Sequence, residues 1–249
     1  MRLLVPLVLL AAAAAGGCAF PGHVAEATLE RSVPAAGIAV LDCRTHNGDI
    51  VLRARPGADT LQVHAALSVR GHTPEAAAAN LSHLRVEPRL EGDRLVLAGE
   101  YDSEVRSLSP SFAFTIEGPP ELVMELESHN GSVRALAVAA PVTCETHNGD
   151  IVVEGAPRQL RVKTHNGRIE LEIGGVAVDG TIESHNGNVV VVVGREVGAA
   201  VEASTHNGSI RLGRESAGFE SSHHRLSCRL GDGAGRLAIE THNGNVEIR

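Results

Sequence analysis

The chain has 249 residues, enough for one or two domains. It holds no Trp, one Tyr and four Phe against 27 Gly. Its core must therefore come from Val, Ile, Leu and Ala, which suits thin, regular β layers better than a bulky globular centre. A net charge of -8 with histidine neutral gives nucleic-acid binding no electrostatic support.

The first residues, MRLLVPLVLLAAAAAGGCAF, read as a targeting segment and not as part of the fold. Arg2 supplies a positive start, and residues 3–14 form an apolar run shorter than the roughly 20 residues of a transmembrane helix. Ala15-Gly16-Gly17-Cys18 resembles a bacterial lipobox, which implies removal of residues 1–17 and a lipid on Cys18. Ala19, where an Asp would signal inner-membrane retention, points to the outer membrane, facing the periplasm or the surface. The expectation is an exported protein anchored to the membrane by lipid and not spanning it. Residues 18–36 are then anchor and linker.

The next residues, LDCRTHNGDIVL, introduce a motif that returns later. Residues 53–119 interrupt it. TLQVHAALSV (60–69) and DRLVLAGEY (93–101) read as strands. Between them, Thr73-Pro74-Glu75 looks like an N-cap, a first-turn proline and an early acid, and Ala77, Leu81 and Leu84 share one helical face. A short helix is predicted over 74–84, so that 37–119 comprises a first rung plus a small α+β insertion or cap. SFAFTIEGPPELVMEL (111–126) leads into a repetitive body over 120–249.

That body is written in copies of [Ser/Thr]-His-Asn-Gly-x-[Ile/Val]. Seven are legible, at His46, His129, His147, His165, His185, His206 and His242. The spacing between the last two is 36, twice the 18 that separates earlier copies, and SSHHRLSC lies midway, so His224 marks a degraded eighth copy. A unit of about 20 residues signals stacked repeats. On either side of Asn-Gly apolar and polar residues alternate. Three before each histidine stands Cys43, Leu126, Cys144, Val162, Ile182, Ala203 or Ile239, and four after stands Ile50, Val133, Ile151, Ile169, Val189, Ile210 or Val246. This is the period of half-buried strands. Each unit is strand, tight turn, strand. The turn residues are Asn130, Gly131, Asn148, Gly149, Asn166, Gly167, Asn186, Gly187, Asn207 and Gly208, chosen because Asn and Gly tolerate positive φ. The predicted class is all-β: a single-chain β-solenoid of stacked rungs about 18–21 residues long, with an N-terminal β-rich insertion carrying one short helix.

The segments THNGDIVL, SHNGSVRA, THNGDIVV, THNGRIEL, SHNGNVVV, THNGSIRL and THNGNVEI resemble the units of the bacterial putative-adhesin family with toast-rack repeats. The resemblance runs over nearly the whole mature chain. It implies an exported or membrane-anchored β-solenoid and brings no agreed activity, because fold does not fix function. Histidine fills the family's variable slot in every copy, which the resemblance does not explain.

Strand alternation turns the preceding Thr or Ser inward and the histidine outward, so stacked rungs set His129, His147, His165, His185 and His206 in one exposed column, joined by His224 and His242. Three readings follow. The column is structural, its rings stacking or hydrogen bonding along the ladder. It binds zinc or copper weakly through those five histidines, with Glu127, Glu145, Glu183, Asp49 and Asp150 nearby. Or it is a recognition stripe for an envelope protein or a repetitive polymer. No required cofactor is implied, and catalysis has no support: the carboxylates spread along outward faces, and each Ser or Thr points away from its histidine. Cys43, Cys144 and Cys228 all fall at inward positions and are expected to be buried free thiols, since Cys43 and Cys144 lie two rungs apart, beyond disulfide reach.

Overall fold

The computed structural model describes residues 22–249. Cys18 and the targeting segment lie outside the described residues. Two sheets face each other, one of twelve strands and one of ten. Each repeat contributes one strand to each sheet. The strand before the corner enters the leading sheet and the strand after it enters the trailing sheet; for the His147 rung these are Val142–Asn148 and Ile151–Gly155. Asn-Gly is therefore a corner between sheets and not a hairpin turn within one.

Rungs pair in parallel and in strict register. Leu126 sits between Cys43 and Cys144, and Asn148 sits between Asn130 and Asn166. The positions three before and four after each histidine stack into continuous apolar rows between the sheets. Leu126, Val162, Ile182, Ile151, Ile169 and Val189 are essentially inaccessible to water. One apolar cluster runs from Ile38 to Ile248. Burial of this row is the main stabilising term, since no single rung can cover its own apolar face.

The N-terminal half departs from expectation in two places. Residues 23–34, expected as linker, form a twelve-residue strand, His23–Pro34, antiparallel to Thr60–Gly71. Every second residue of HVAEATLERSVP is partly covered while the others face water, a one-sided pattern that a linker reading overlooks. The helix forms as Pro74–Leu81, with the Thr73 hydroxyl accepting from the Ala76 amide. Leu84 belongs instead to a short strand, Leu84–Val86. Strands Arg94–Tyr101 and Ser111–Gly118 pair in parallel with Val40–Asn47 and Ile50–Ala54 respectively, one in each sheet. They make a further layer without the His-Asn-Gly corner, joined through a 3₁₀ segment, Ser103–Leu108. Asp42 is buried beside this layer, its carboxylate held by Arg44 at 2.7 Å and Arg94 at 3.1 Å.

At the other end the rungs do not follow chain order. The His242 rung (Gly235–Asn243 and Val246–Ile248) is intercalated between the His185 rung (Asp179–Asn186 and Val189–Val193) and the His206 rung (Ala199–Asn207 and Ile210–Leu212). The degraded eighth copy is not a rung. Residues 217–230 form an antiparallel hairpin, Ala217–Ser221 with Arg225–Leu230, which covers Ala199–Ser204, also antiparallel. His223 and His224 lie at its tip and leave the column. SSHH lacks the Asn-Gly that a corner between sheets needs, so the chain turns back within one sheet.

Candidate functional site

The corner of each rung carries three ladders side by side, and each residue of His-Asn-Gly serves one of them. Glycine is needed for closeness. A Cβ on Gly149 would sit 2.1 Å from the Gly131 carbonyl oxygen, and on Gly167 1.9 Å from that of Gly149. Asn is never in the left-handed region here; the non-glycine residues with positive φ are Ser109 and Ala137. Positive φ occurs at Gly48, Gly131 and Gly167 but at none of the asparagines, and at every corner the backbones approach too closely for any side chain but hydrogen.

Asn builds the second ladder. Each side-chain amide donates through Nδ2 to the Oδ1 of its neighbour at 2.7–2.9 Å, in the order Asn207, Asn243, Asn186, Asn166, Asn148, Asn130, Asn47. The last donor, Asn47, closes on the Pro110 carbonyl oxygen. Glycine nitrogens bond across rungs as well, as Gly149 does to the Asn166 carbonyl oxygen at 2.9 Å. The inward Thr and Ser hydroxyls donate to glycine carbonyls, for instance Thr146 to Gly131 at 2.9 Å and Thr164 to Gly149 at 3.0 Å. Two of these differ: Thr45 donates to the Phe112 carbonyl oxygen, and Ser184 is a buried hydroxyl without a partner among the described residues.

Histidine builds the third. His46, His129, His147, His165, His185, His242 and His206 form one exposed column in that order. The rings lie parallel within 2–6°, with centroids 4.6–4.9 Å apart. All five candidate ligands from the sequence, His129, His147, His165, His185 and His206, are thus brought together, with His46 and His242 added.

Their arrangement does not suit a metal ion. Imidazole lone pairs lie in the ring plane, so parallel rings aim them side by side and not at a common point. Two bonds of about 2.1 Å to one zinc put the nitrogens at most about 4.2 Å apart, less than the ring spacing. The carboxylates are engaged elsewhere. Glu145 pairs with Arg161 and Glu183 with Lys163, while Asp49 and Asp150 accept the backbone amides of Ser132 and Arg168. Among the described residues no three His, Cys, Asp or Glu side chains converge on a metal position.

Stacking also sets the electrostatics. Desolvation between its neighbours, then the positive charges that His185 and His147 would carry, hold His165 below the ordinary histidine value of 6.5. The folded protein therefore favours the neutral ring. As pH falls through about 6.5 the unfolded chain takes up protons first, so stability is complete above that pH and declines through the window down to the lower folded value. We expect the urea midpoint to be level above about pH 7.5 and to fall below about pH 6.5, with a smaller fall in a His147→Ala, His185→Ala double variant. A midpoint that is level or rising on acidification would contradict the stacked, mutually repelling column.

The three cysteines are buried and unpaired. Burial raises all three thiols, that of Cys144 to about 12, so thiolate chemistry is suppressed.

Residues 24–249 match the model of the Toastrack DUF4097 family. The chain belongs to that family. Among solved structures, a putative cell adhesion protein from Clostridium sporogenes superposes with a TM-score of 0.54 at 12% identity, over 90% of this chain and 98% of that one. A putative adhesin from Bacteroides fragilis, also 12% identical, aligns over 89% and 97% with a TM-score of 0.38. The first is similar enough to support a shared fold, and identity at this level supports nothing further. No curated protein matches the sequence. The Toastrack assignment agrees with the all-β solenoid described above. Two open grooves of about 630 and 620 Å³ lie along the leading sheet of this Toastrack chain; both include Thr181 and Ala238, and the first is also bordered by Glu183, Glu202 and Glu240.

Proposed function

We propose that this protein is a non-catalytic, lipid-anchored module of the bacterial cell envelope, adhesin-like, that presents a rigid repeating face to an extended protein or polymer. The observation that carries this reading is the straight column of seven exposed imidazoles at one constant spacing. Six strand spacings of about 4.8 Å make a stripe on the order of 30 Å long. Its ring edges offer evenly spaced donors and acceptors that are locked before binding, which reduces the ordering cost of association. The structural relative from Clostridium sporogenes is described as a putative cell adhesion protein, which is in keeping with such a role without carrying it. Attachment would be through a lipid on Cys18, a reading supported by the lipobox-like Ala15-Gly16-Gly17-Cys18.

The test has two arms. The wild-type protein should sediment with membranes and Cys18→Ser should not; retention of the variant removes the anchor from the proposal. The mature soluble protein should bind isolated cell envelopes saturably. Replacing His129, His147, His165, His185 and His206 together with Ala should weaken that binding about tenfold or more, the effect of losing about 1.4 kcal/mol of contacts. Equal binding by both proteins would rule out the column as the contact.

A further inference from the structure

Asn-Gly is intrinsically prone to lose ammonia, because glycine leaves its own backbone nitrogen open to attack the preceding carboxamide. This chain carries seven such pairs. Reaction requires the glycine N–H to give up its proton and the Asn carboxamide carbon to swing over the nitrogen. The ladders oppose both movements. At the His46, His129, His147, His165, His185 and His242 rungs the glycine N–H is bonded to an Asn carbonyl oxygen of the adjacent rung, at 2.9–3.0 Å. At each of these rungs the Asn side chain is also tied on both sides, through Nδ2 and through Oδ1.

The His206 rung differs. It is the outermost rung of the column, and the hairpin that covers its strand reaches only to Thr205, whose amide bonds to the His224 carbonyl oxygen. Asn207 donates to Asn243 at 2.8 Å, but its Oδ1 accepts from no neighbour among the described residues. The Gly208 N–H, likewise, has no partner among them. The opposite end is not open in this way, because Pro110 and Phe112 close it over Asn47 and Thr45.

We propose that Asn207 is the site of spontaneous deamidation in the folded protein, and that the ladder protects the other six Asn-Gly pairs. The Gly208 nitrogen loses its proton to solvent and attacks Cγ of Asn207. The new N–Cγ bond forms as the Cγ–Nδ2 bond breaks, and ammonia leaves with a proton from solvent. Water then opens the succinimide to aspartate or isoaspartate, with no change of oxidation state. The product replaces the donor that faced Asn243 Oδ1 by a carboxylate oxygen, setting acceptor against acceptor. The ladder thereby loses its last bond, and the open end acquires a negative charge.

An internal control exists in the sequence. Asn130 and Asn207 share the context His-Asn-Gly-Ser, so their intrinsic reactivities match. The native protein would be incubated in mildly alkaline buffer, sampled over time and peptide-mapped by mass spectrometry, with a parallel incubation in concentrated urea. In the native protein Asn207 should convert about tenfold or more faster than Asn130, the factor that about 1.4 kcal/mol of easier opening gives. In urea the two should convert at equal rates. Equal conversion of Asn207 and Asn130 in the native protein, or a faster inner site, overturns the proposal. So does a lead for Asn207 that persists in urea.

Discussion

Gly149→Ala is expected to destabilise the protein by about 3 kcal/mol or more, read as a lower urea midpoint with an unchanged slope. The added Cβ would lie 2.1 Å from the Gly131 carbonyl oxygen and 2.5 Å from its carbon. Both are backbone atoms of a rung held in register above, so no side chain can rotate away. Relief requires the two corners to separate, which would lengthen the Thr146 to Gly131 bond and the Asn148 to Asn130 bond together. Gly174→Ala is the control. A Cβ there meets only ordinary contacts, the nearest at 3.5 Å, and no left-handed φ is involved. It should leave stability between unchanged and about 1 kcal/mol higher, the entropic gain of removing a glycine. Equal effects at the two positions would refute the close-approach account of the corner.

Phe112→Ala should cost about 3–5 kcal/mol. Phe112 is one of the two largest fully buried side chains in a core otherwise made of aliphatics. Its ring packs 6.3 Å from that of Tyr101 and occupies the space that Gly99 leaves free, where a Cβ would fall 2.2 Å from Cγ of the phenylalanine. The Thr45 hydroxyl bonds to the Phe112 backbone oxygen, so truncation removes the filler of the cap without removing that bond. A double-variant cycle adds a sharper check. Gly99→Ala should be severely destabilising alone, yet much milder in the Phe112→Leu background, giving a coupling of about 1 kcal/mol or more. Strict additivity would mean that the ring does not fill the glycine's vacancy.

Much of this was legible in the sequence because the repeat names its own geometry. The inward set Cys43, Leu126, Cys144 and Val162, the outward histidines and the separation of Cys43 from Cys144 all follow from strand alternation and unit length. Four features were not fully legible. The reason for glycine was legible only in part, since positive φ, found at Gly48, Gly131 and Gly167, and close approach, found at every corner, choose the same residue. The stacking order was hidden because every rung carries the same register: Asn243 pairs equally well with Asn186 and with Asn207. The segment HVAEATLERSVP alternates too weakly, with Ala25, Ala27 and Arg31 among its half-covered positions, to declare itself a strand. The mode of ring stacking, which decides against a shared metal ion, depends on side-chain torsions that no spacing encodes.

The intercalated rung bears on how the molecule is made. Residues 235–248 leave the ribosome after both of their neighbours, residues 179–193 and 199–212. The rungs from His129 to His185 can stack as they emerge, each upon its predecessor. Residues 199–212 cannot take their final place in that growing stack, because the slot between them and the His185 rung belongs to a segment not yet synthesised. Docking the His206 rung directly on the His185 rung would satisfy the same ladders and would be wrong. The hairpin over 217–230 covers the opposite edge of residues 199–204, so the edge left to receive residues 235–248 is the one that faces the stack.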